Sequence, residues 1–93
     1  MNVPGLSLAI AALRPDPGSR SLALRITLPE AGRARITVTD VAGRIVASHE
    51  AGGLEAGTHR VDLAAKARFS PGVYIVRLTQ GGQRAEIKAI VMP

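Results

Sequence analysis

Two histidines, three aspartates, four glutamates and five serines are the side chains of this 93-residue sequence that could shuttle a proton, attack a carbonyl or hold a cation. Cysteine is absent, which removes thiolate nucleophiles, disulfides and Cys-based zinc sites. A Ser-His-Asp arrangement can be built from distant positions, but the strained G-x-S-x-G elbow that presents a serine nucleophile does not occur. The chain is therefore read as no enzyme. Ser48-His49-Glu50 is the one dense polar cluster, and it reads as the hydrated end of a strand. His59 is expected to approach His49 across a hairpin. Two imidazoles and a carboxylate can bind a transition metal, yet the spacing matches no known ligand pattern. Calcium requires six or more oxygens in close array, whereas the acids here are spread singly, with Asp40 the weak alternative. No cofactor and no metal are expected.

The charge balance narrows the binding roles. Twelve Lys and Arg against seven Asp and Glu give +5, and ten of the twelve are arginines scattered from Arg14 to Arg84. Nucleic-acid binding calls for that charge on one face with aromatic side chains for stacking; Phe69 and Tyr74 are the only aromatics. Sugar-binding modules likewise present exposed aromatic platforms, and Tyr74 falls in an inward-facing set. The apolar run 6–13 has no Lys or Arg ahead of it and is short for a signal-peptide core or a bilayer span, so it reads as a strand and no membrane insertion is expected. The lack of cysteine leaves the redox compartment open.

The elements that must position these residues follow from alternation. Apolar and polar residues alternate in short runs separated by Gly, Pro and Asp, the pattern of antiparallel strands with one wet face. Seven are expected: 6–13, 20–28, 33–40, 44–50, 59–63, 73–79 and 84–92. Leu22, Leu24, Ile26 and Leu28 share one face of the second, and Ile36 and Val38 share one face of the third. Tyr74, Val76 and Leu78 face inward in the sixth, and Ile87, Ala89 and Val91 in the seventh. Outward Arg25, Arg35 and Arg77 are expected to line one sheet face. Pro15-Asp16-Pro17-Gly18 is a turn, Glu30-Ala31-Gly32 and Gln80-Gly81-Gly82 close hairpins, and residues 52–57 make a looser bend. In Asp40-Val41-Ala42-Gly43-Arg44 the Asp carboxylate should accept backbone N–H groups while Gly43 takes a positive φ. Residues 66–70 form the one irregular segment. The length allows one domain, so 1–93 is read as a single all-β, immunoglobulin-like antiparallel sandwich of about seven strands, with a barrel as the alternative.

Four pieces in a fixed order carry a resemblance: Ile36-Thr-Val-Thr-Asp40-Val-Ala-Gly43-Arg44, then Leu54-Glu-Ala-Gly57-Thr-His, then Pro71-Gly72-Val73-Tyr74-Ile-Val-Arg77-Leu78, then the terminal Lys88-Ala-Ile-Val91. With Pro15-Asp16-Pro17 ahead of them, they resemble the C-terminal sorting domains of the type IX (Por) secretion system and the related immunoglobulin-like domain of flagellar hook-capping proteins. The resemblance spans about 6–91 and marks Asp40, Gly43, Arg44, Gly57, Pro71, Gly72 and Tyr74 as structural positions.

It implies a non-catalytic module at the C-terminal end of a larger secreted protein, covalently linked to an N-terminal cargo domain. That module would direct the cargo through the periplasm and across the outer membrane to the cell surface by engaging outer-membrane secretion machinery. Its recognition candidates are Lys88, Arg84 and Arg77, on and beside the last strand, because an edge strand is a natural docking site. The alternatives are a structural immunoglobulin-like spacer or assembly module and a carbohydrate-binding accessory module.

Overall fold

The computed structural model describes residues 7–13, 22–63 and 69–93. Seven strands run in chain order: β1 (Ala9–Ala12), β2 (Ala23–Leu28), β3 (Gly32–Asp40), β4 (Ile45–Leu54), β5 (Gly57–Asp62), β6 (Gly72–Gln80) and β7 (Gln83–Val91). They form two antiparallel sheets, β1-β2-β5 and β4-β3-β6-β7. Two such sheets packed face to face make an immunoglobulin-like sandwich; relative to the constant-type arrangement, the fourth strand pairs with the third instead of the fifth.

The alternation read from the sequence fixes which face is buried. Leu24, Ile26 and Leu28 of β2 are fully enclosed, as are Ile36 and Val38 of β3 and Val76 and Leu78 of β6. Ile10, Leu22, Ala34, Leu63, Phe69, Tyr74, Ala89 and Val91 complete an almost wholly aliphatic core. Each large aliphatic side chain so enclosed is stabilised by roughly 1.5–3 kcal/mol relative to exposure.

Several connections differ from the sequence expectation. Glu30-Ala31-Gly32 closes no hairpin: β2 pairs with β1 and β5 while β3 pairs with β4 and β6, so this segment crosses from one sheet to the other. The crossing is tied down by Gln80, whose Nε2 donates to the Glu30 carbonyl at 3.0 Å. The bend expected over 52–57 shrinks to Glu55-Ala56, because β4 continues to Leu54 and pairs Leu54 with Gly32. Strands β4 and β5 lie in different sheets, so His49 and His59 do not face each other across a hairpin; His59 Nε2 lies 2.6 Å from the Glu55 carbonyl oxygen instead. Arg25 stands opposite Arg60 on the three-stranded sheet, separate from Arg35 and Arg77 on the other. Turn residues signal a reversal of direction but not the sheet in which the next strand finds its partner, and these differences share that cause. The turn expected over 15–18 and most of the irregular segment 66–70 lie outside the described residues.

The topology gives the sandwich two distinct ends. The β2–β3 crossing, the β4–β5 connection and the two-residue β6–β7 turn share the near end. Ala9 pairs with Thr27, so β1 also begins at that end. The β3–β4 turn, the start of β6 and the end of β7 share the far end.

Candidate recognition surface

The outer face of the four-stranded sheet carries all three recognition candidates. Its rows follow from the register: Glu50, Arg35, Thr79 and Arg84 nearest the β6–β7 turn; then Ser48, Thr37, Arg77 and Glu86; then Ile45, Thr39, Ile75 and Lys88; and last Val73 and Ile90. Glu86 lies directly across from Arg77, with Arg77 Nε at 3.0 Å and Nη2 at 2.9 Å from Glu86 Oε2. Arg77 is thus occupied by its neighbour. Arg84 and Lys88 flank Glu86 along β7, both exposed, and neither has an ion-pair partner among the described residues. The strand that holds them pairs on one side only, with β6.

The D-x-x-G-R segment is a turn with its own hydrogen bonds. Asp40 Oδ1 accepts the backbone N–H groups of Ala42 and Arg44, each at 3.0 Å. Its Oδ2 accepts Arg44 Nε at 3.0 Å. The Gly43 N–H bonds the Asp40 carbonyl, and Asp40 N–H bonds the Arg44 carbonyl. These bonds close a four-residue turn that a left-handed residue follows, a standard solution for a three-residue hairpin loop. Gly43 has φ +86 as that geometry demands. The N–H of Arg44, followed by its guanidinium, holds the Asp40 carboxyl below the ordinary carboxylate value. Its oxygens are engaged by the turn, and among the described residues no three His, Asp or Glu side chains come together. Gly57 begins β5 and Pro71-Gly72 leads into β6, so these positions mark strand starts.

Tyr74 faces inward as expected, and its hydroxyl makes a contact the sequence reading missed: it donates to the Ser70 carbonyl at 2.6 Å. A tyrosine near the start of the sixth strand bonding backbone a few residues upstream is the tyrosine corner of immunoglobulin-like sandwiches. The signal was available, since a buried tyrosine O–H must find an acceptor. Phe69 meets the Tyr74 ring edge to face, with centroids 5.5 Å apart. Both aromatics of the chain are therefore in the core and neither offers a sugar-stacking platform. Near the β6–β7 turn an open depression of about 310 Å³ has Arg33, Arg35, Glu50 and Thr79 in its lining, a mixture of charges with no aromatic wall.

With this geometry established, residues 13–92 match the family model described as "Secretion system C-terminal sorting domain". No curated protein gives a significant match to the chain.

Proposed function

Because the chain belongs to the family of secretion-system C-terminal sorting domains, a signal for type IX export of attached cargo to the cell surface or beyond, we propose that it acts without catalysis, as the terminal module of a larger secreted protein. Its outer β6–β7 face is read by the export machinery. The observation that carries this reading is the edge strand β7, which presents Lys88 and Arg84 to solvent on either side of a glutamate already held by Arg77. The alternating residues Ile87, Ala89 and Val91 anchor the same strand to the core. A strand fixed on one face and charged on the other is rigid enough to be recognised and soluble enough not to aggregate.

The test fuses residues 1–93 behind an exported reporter in a bacterium with type IX machinery, beside versions carrying Lys88→Ala or lacking 88–93. Surface display of the parent with loss in both variants is expected. Periplasmic retention of the parent would favour a structural spacer or assembly module. Equal display of all three would remove β7 as the carrier of the signal.

A further inference from the structure

All six large hydrophobic side chains that stand exposed among the described residues, Val41, Ile45, Val46, Val73, Ile90 and Met92, belong to the far end of the molecule. Single apolar residues scattered over a surface require no explanation, but their confinement to one end does. The exposure is substantial, at 80% for Val41, 68% for Ile45 and 57% for Ile90. Val73 and Ile90 face each other across β6 and β7. Ile75, partly covered, and Thr39 extend the next row to Ile45, and Val41 stands in the turn beside it.

Strand preference does not account for these choices. Threonine favours strands as valine and isoleucine do, and Thr37 and Thr79 stand among the polar and charged residues of the other half of this face. The β3–β4 register shifts between Val38 and Thr39, which leaves Val46 as an extra residue and both Ile45 and Val46 exposed. Bulges of this kind re-aim side chains next to functional surfaces.

Lys88 stands within this patch, across from Ile75 and two residues along β7 from Ile90. Asp40 and Arg44, at the same end, are closed on each other at 3.0 Å. Among the described residues, no acid at this end of the face is paired with Lys88. We propose that the far end of the outer sheet face docks onto a protein of the secretion machinery, through an apolar contact surface that offers a carboxylate to Lys88. The inference rests on the sorting function above and names the part of the domain that performs it.

Charge decides among the occupants. A second copy related by a two-fold axis would set Lys88 near its own counterpart and oppose two chains of net charge +5. An anionic membrane is held by clusters of four to eight Lys or Arg, whereas the far end of this face presents one cation without a partner among the described residues. Position agrees. β1 itself begins at the near end, where Ala9 pairs with Thr27, roughly 30 Å from this patch along nine-residue strands.

The experiment uses the reporter fusion in the type IX bacterium with three further variants: Ile45→Thr/Val73→Thr/Ile90→Thr, Lys88→Glu, and Thr37→Val/Ser48→Ala on the polar half of the face. The apolar triple and the charge reversal should each reduce surface display about tenfold or more, as loss of a central contact does. The polar-half variant should display like the parent, and melting temperatures should agree within a few degrees. If the triple destabilises the domain, Ile90→Thr alone on the edge strand provides the decision. Full display by the apolar variants beside an exported parent overturns the docking surface and leaves the sorting function intact. A parent retained in the periplasm overturns the sorting reading itself, and this inference with it. Sedimentation of the isolated domain as a dimer that the triple dissolves, or binding to phosphatidylglycerol vesicles that the triple abolishes, assigns the patch to another occupant and overturns the proposed partner.

Discussion

Replacing Tyr74 by phenylalanine and by alanine separates the two ways in which that residue holds the sandwich together. The hydroxyl donates to the Ser70 carbonyl at 2.6 Å, and Ser70 is exposed, so water can satisfy the carbonyl once the hydroxyl is gone. Tyr74→Phe should therefore destabilise by about 1 kcal/mol, the net value of one such bond. Tyr74→Ala also removes a ring that is only 7% exposed and the edge-to-face contact with Phe69. Truncations of large buried aromatics cost about 3–5 kcal/mol, against a total of roughly 5–14 kcal/mol for a domain of this size. Each kcal/mol lowers the melting temperature by roughly 4–8 °C at this length. Urea titration followed by far-ultraviolet circular dichroism suits a chain without tryptophan, with a constant slope confirming that only stability has changed. Alanine and parent melting within a few degrees would refute the inward placement of the ring, and phenylalanine as damaging as alanine would refute the division between ring and hydroxyl.

At the β3–β4 turn, Gly43→Val should cost about 1–3 kcal/mol and Gly43→Asn much less, because φ is +86 there and asparagine tolerates left-handed backbone. No neighbouring atom lies within 4 Å of an added Cβ, so this difference, read by thermal unfolding, isolates conformation from crowding. Asp40 is held below the ordinary carboxylate value, first by the Arg44 N–H. Its contribution is complete above the unfolded carboxyl's range and is lost as pH falls through the depressed folded value. The melting-temperature gap between the parent and Asp40→Asn should therefore close on acidification from neutral pH, and a gap that widens would contradict the turn's electrostatics.

How far the sequence could be read depended on whether a feature is local. Alternation identified the buried sets of β2, β3, β6 and β7 residue by residue, because side chains alternate across a strand whatever its partner. The Asp40–Arg44 turn was equally legible, since every bond in it joins residues at most four apart. Sheet membership was not. Whether Glu30-Ala31 reverses within a sheet or crosses between two is decided by β5 and β6, tens of residues downstream. The recognition candidates were legible as exposed positions on β6 and β7, but the Arg77–Glu86 pair needed the register of two strands. The apolar far end escaped notice because its members come from four places in the chain and form a group only once the sheet has assembled.

The contact between β1 and β7 ties together the first and last strands of the fold. During synthesis β7 emerges after every other strand, and until it does Tyr74, Val76 and Leu78 lack the edge strand that pairs beside them. The four-stranded sheet is then incomplete, with β6 as an unprotected edge prone to wrong pairing. The finished shape of the domain therefore reports that translation has passed residue 91. A chain that stops short of residue 83 lacks β7 altogether, so the outer sheet face with its full set of rows exists only after the last strand has been made.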